Sequence, residues 1–86
     1  MPEISRFFGI VVSMYFDDHS PPHLHASYGS DRVRVAIETM EVLSGALPPR
    51  ALALLVEWMA IHRAELRENW TRARSGRPLV RIEPLR

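Results

Sequence analysis

The sequence predicts an α+β fold: a small antiparallel β-meander of three to four strands packed against one long C-terminal helix, with an extended tail. Three observations carry that prediction. The first half holds short runs with period-2 alternation, separated by turn residues. The second half holds a stripe of apolar side chains at helical spacing. The last ten residues return to alternation. The 86 residues are expected to form a single domain.

The first strand is expected within Phe7-Phe8-Gly9-Ile10-Val11-Val12-Ser13-Met14-Tyr15-Phe16. Phe8, Ile10, Val12, Met14 and Phe16 would share one apolar face, and Gly9 would mark a bulge or a close backbone approach. Asp17 to Pro22 reads as a loop, because Ser20 and Pro21 each precede a proline and are held extended. His23 to Tyr28 is the second strand, with Leu24, Ala26 and Tyr28 on the helix side and His23, His25 and Ser27 on the other. Gly29-Ser30-Asp31 signals a hairpin. The third strand, Arg32 to Glu38, points Val33, Val35 and Ile37 inward and Arg32, Arg34 and Glu38 outward. A short fourth strand at Glu41-Val42-Leu43 ends at Gly45.

The helix is expected from Pro49 to Arg74, with proline in its first turn. Leu52, Leu55, Val56, Met59, Leu66 and Trp70 form its stripe, and His62 lies within it. Gly76 is a natural stop. In the tail, Val80 and Ile82 alternate with Arg81 and Glu83, which suits an extended segment docked on the sheet or on a second subunit.

Composition removes several chemistries. There is no cysteine, so thiol nucleophiles, disulfides and thiolate metal ligands are excluded. All eleven basic residues are arginine, so lysine chemistry is excluded too. A net charge of +1 gives no global attraction to nucleic acid or to membranes. No apolar run approaches a membrane span and no signal segment is visible, so a cytoplasmic location is expected. A chain this short buries only about 60–65% of its unfolded surface, which favours a homo-oligomer or a small partner protein.

The chemistry concentrates in Asp17-Asp18-His19-Ser20-Pro21-Pro22-His23-Leu24-His25, which holds three of the four histidines. His23 and His25 are two apart on a strand, so their Cβ atoms lie about 6–7 Å apart on one face. Two imidazoles so placed can converge on one ion. His19 could add a third nitrogen and Asp17 or Asp18 a carboxylate, a donor set that suits a divalent metal such as zinc. The stiff diproline spacer separates His19 from this pair. His62 joins only if the histidine face is the covered one, which the alternation argues against.

Three readings stay open. The histidines serve only packing and hydrogen bonding, or they bind metal, or His23 and His25 form a metal-free acid–base pair. In the last two, the catalytic candidates are His19, His23 and His25. Arg32 and Arg34, on the outer face of the next strand, are the candidate anion-binding residues and would meet an RNA phosphate there.

The motif resembles a known family. Phe8-Gly9-Ile10, the run Met14 to Gly29 with its Asp-His-x-Pro-Pro-His-x-His core, Leu47-Pro48, Ala51-Leu52, Glu57-Trp58, His62, Glu65-Leu66, Asn69-Trp70 and Ile82-Glu83-Pro84-Leu85 are similar to domain-of-unknown-function family 4160, over essentially the whole chain. The resemblance implies a small bacterial protein encoded beside another small protein, as half of a toxin–antitoxin-like pair. It carries over no catalytic residue. The function expected from residues and resemblance together is an interaction or regulatory module working with a partner. The alternative is a histidine-based or metal-dependent hydrolase of phosphodiesters such as RNA.

Overall fold

The computed structural model describes residues 2–16 and 18–86. Five strands form one antiparallel sheet in sequence order: β1 (Glu3–Phe7), β2 (Ile10–Ser13), β3 (His23–Tyr28), β4 (Asp31–Ala36) and β5 (Val42–Gly45). Two helices follow, α1 (Pro49–Ile61) and α2 (Arg63–Arg74). The fold class is the expected α+β meander, with one strand more and one helix break more than the sequence suggested.

The extra strand is β1, which lies ahead of the expected first strand and shares only Phe7 with it. The chain turns back on itself at Phe8-Gly9, so that Phe7 pairs with Ile10. Phe8 and Gly9 have φ of 48° and 83°, a pair of left-handed residues that matches the twist of a two-residue hairpin. Gly9 supplies turn geometry rather than a bulge. Ile10, Val12 and Met14 are fully buried as the alternation requires, while Phe8 and Phe16 are exposed. Gly29-Ser30 closes the next hairpin, joining Tyr28 to Asp31.

The helix breaks at His62, whose φ of −112° and ψ of 23° leave the helical range. Its Nδ1 is paired with the Glu65 carboxylate one turn on, and its ring packs on Trp58 at 5.5 Å between centroids. The apolar stripe continues across the break: Leu55, Trp58, Met59 and Leu66 are completely buried against Ile10, Val12, Leu24, Val33 and Val35. The tail docks as expected. The Ile82 N–H donates to the Ile4 carbonyl at 2.8 Å, and Trp58 Nε1 donates to the Glu83 carbonyl at 2.8 Å. Helices and tail thus cover one sheet face and the β1 edge.

The opposite face presents two cross-strand rows. Ser13, His25, Arg34 and Ser44 are consecutive register partners, and Val11, Ser27 and Arg32 form the next row. Among the described residues no helix is long and apolar enough to cross a membrane.

Candidate metal centre

Strand β3 places His23 and His25 on one face, as their spacing requires, with ring centroids 5.2 Å apart. The loop before it brings Asp18 onto both. Asp18 Oδ2 lies 3.1 Å from His23 Nε2 and 3.0 Å from His25 Nε2. Ligand atoms of these three residues all lie within 4.8 Å of one another. Neither His19 nor His62 belongs to the group. Its histidines are therefore two, where the sequence offered four. His19 is exposed and contributes its backbone instead, donating N–H to Asp18 Oδ1 at 3.0 Å. His62 is engaged with Glu65 on the helices. Asp17 lies outside the described residues.

The protonation pattern follows from the partners. His23 Nδ1 sits 2.8 Å from the Pro21 carbonyl oxygen. A carbonyl only accepts, so Nδ1 carries the proton and donates. In the neutral ring Nε2 then carries a lone pair and no proton, 3.1 Å from Asp18 Oδ2, which also only accepts. That approach is not aligned for a hydrogen bond, and among the described residues Nε2 is a buried nitrogen without a hydrogen-bond partner. The His23 side chain is only 4% exposed, so water does not relieve it. His25 differs. Its Nε2 is aligned with Asp18 Oδ2, which only accepts, so Nε2 donates to it, and its side chain is 29% exposed.

Burial pushes the Asp18 carboxyl up. The hydrogen bond from His25, the His19 backbone N–H and the neighbouring imidazoles outweigh it and hold the carboxyl below its usual range. The group is therefore an ionised carboxylate at neutral pH.

Two imidazoles and a carboxylate fit a divalent transition ion. Bonds of about 2.0–2.1 Å place ligand atoms roughly 3.0 Å apart in octahedral and 3.4 Å apart in tetrahedral geometry. The 3.0 and 3.1 Å separations at Asp18 Oδ2 sit at the octahedral end of that range. The Pro21 carbonyl holds His23 in the tautomer a ligand needs, the usual role of an outer partner at a metal site.

Two walls of the site were not read as such in the sequence. Trp70 of α2 packs on the His23 ring at 5.4 Å, and Tyr15 stands edge-on to His25 at 4.6 Å. The helical layer does reach the histidine pair, through Trp70 rather than His62. The helical stripe identified Trp70 as buried, but spacing alone carried no signal for its contact with a residue of β3. Arg32 and Arg34 stand on the open sheet face beside His25, in a groove of about 450 Å³.

Fold and site together define a small α+β domain carrying a two-histidine, one-carboxylate group. A family model described as "Domain of unknown function (DUF4160)" matches residues 9–71, and the chain belongs to that family. No curated protein and no solved structure matches the chain.

Proposed function

We propose that the chain binds one divalent transition-metal ion through Asp18, His23 and His25, in a centre of the hydrolytic type. The observation that carries this is the buried His23 Nε2, its tautomer set by Pro21 so that it carries a lone pair, with a carboxylate oxygen 3.1 Å away. A cation between them satisfies both acceptors at once. Three protein ligands leave at least one position for water, the pattern of catalytic rather than structural sites. When bound, the ion would supply an acidified water and a Lewis acid. This chain's own residues orient the ligands, exclude solvent on the Trp70 side, and leave the His25 side open.

The test is metal stoichiometry after dialysis against zinc or cobalt(II), with folding followed by circular dichroism. Wild type, His19→Ala and His62→Ala are expected to hold one ion per chain. Asp18→Asn and His25→Ala are expected to hold none while remaining folded, since both side chains are partly exposed. A folded wild type without stoichiometric metal sinks the proposal.

A second reading rests on a different feature. Among the described residues β5 ends the sheet with no strand beyond it, and its Val42 and Leu43 are exposed at 44% and 40%. An uncovered edge with apolar side chains is a template for strand addition. It supports a module that pairs with a partner protein or a second copy, as the toxin–antitoxin-like resemblance implies. Sedimentation of wild type and Leu43→Lys checks the self-association form, and a wild type that stays monomeric at every concentration removes it.

A further inference from the structure

The groove beside the metal group has a composition that metal binding alone does not need. Its floor is the outer sheet face, and its polar lining includes Ser13, Tyr15, His25, Arg32, Arg34 and Ser44. At about 450 Å³ it lies in the size range of small-molecule sites. The register places Arg34 directly across from His25, with Ser13 and Ser44 continuing the row on either side. Directly opposed side chains on one sheet face have Cβ atoms about 4.5–5.5 Å apart.

Arg34 is also oriented. Its Nε donates to Ser44 Oγ at 2.7 Å, and among the described residues neither terminal amino group has an acceptor. Among the described residues, no carboxylate pairs with Arg34 or with Arg32 in the adjoining row, whereas Arg6, Arg67, Arg72, Arg81 and Arg86 each have one. Two guanidinium groups with no carboxylate partner among the described residues, flanked by hydroxyls, form a site for an oxyanion.

We infer that this groove is the substrate subsite of the proposed metal centre, and that it takes a phosphate ester. Arg34, steadied by Ser44, and Arg32 hold non-bridging phosphate oxygens, while an ion held by His25, His23 and Asp18 would face the same group from the His25 side. The inference rests on the metal reading. It adds a ligand class and assigns Arg34 and Arg32 to binding that ligand, with no role in holding the ion.

The experiment uses the full chain loaded with cobalt(II) and inorganic phosphate as the probe, followed by the cobalt absorption spectrum and by calorimetry. Phosphate is expected to perturb the cobalt spectrum. Arg34→Gln is expected to weaken phosphate about tenfold or more, the loss of a charge-assisted hydrogen bond, with cobalt stoichiometry unchanged. Arg32→Gln is expected to act in the same direction, and Arg77→Gln, outside the groove, to change nothing. Normal cobalt uptake with phosphate binding absent, or indifferent to Arg34→Gln, overturns the subsite and leaves the metal centre standing. A chain that takes up no cobalt overturns both, and that failure is seen in the stoichiometry before phosphate is added.

Discussion

Gly45 shows how much one residue without a side chain decides here. It takes φ of 76°, and a Cβ at that position would lie 2.1 Å from the Arg32 carbonyl oxygen. Both the backbone conformation and the backbone contact forbid a side chain. Gly45→Ala is expected to destabilise the protein by roughly 1–3 kcal/mol, read as a lower urea midpoint with unchanged slope. Because Gly45 holds β5 against Val33, the same variant is expected to disturb Ser44 and hence the orientation of Arg34. The sequence marked Gly45 only as the end of a strand. The alternation of β3 made the His23–His25 pair legible, since spacing of two on a strand is a local property. The approach of Asp18 was not legible, because it depends on the path of the loop across Ser20 to Pro22.

Among the elements, the tail depends on α2 through one side chain. Asn69 is 1% exposed, and its amide makes two bonds to the same tail residue: Nδ2 donates to the Val80 carbonyl at 2.8 Å, and the Val80 N–H donates to Oδ1 at 2.9 Å. The side chain thus stands in for a strand partner. Asn69→Ala leaves a backbone donor and acceptor without partners, at a cost of about 1–3 kcal/mol. Faster hydrogen exchange at the Val80 and Ile82 amides, with the central strands unchanged, is the expected signature. The alternation of Val80 and Ile82 announced a docked tail, but a polar residue in a helix said nothing about what it would hold. The break at His62 was hidden in the same way. Its position in the apolar stripe fitted a continuous helix, and the two-residue turn at Phe8-Gly9 lay inside what looked like an unbroken strand.

Across the whole molecule, ion pairs join elements far apart in sequence. Glu38, after β4, accepts two hydrogen bonds from Arg67 of α2 at 2.7 Å each. Glu3 of β1 is bonded by Arg6 and by Arg81 of the tail. Both carboxyls are held below their ordinary value of 4.5, Glu38 first by the hydrogen bond from Arg67 and Glu3 first by that from Arg6. A carboxyl with a lowered folded pKa stabilises above its unfolded value and loses that contribution as pH falls through the folded one. The melting temperature of wild type is therefore expected to exceed that of Glu38→Gln at neutral pH. The gap should close as pH drops from about 4.5 downward, and added salt should narrow it at any pH. These pairs were invisible in the sequence, where Glu38 was only an outward residue. What the sequence determined by itself was the α+β meander, the inward positions Ile10, Val12, Met14, Leu24, Ala26, Val33, Val35 and Ile37, the docked tail and the histidine pair. Each follows from spacing along the backbone or from turn chemistry within a few residues. The tertiary structure decided the fifth strand, the helix break, and above all the site. Only closure of the Asp18 loop, with Pro21 and Trp70 fixing the His23 ring, turns two histidines on a strand into three convergent ligands, because that convergence depends on long-range packing that no local pattern records.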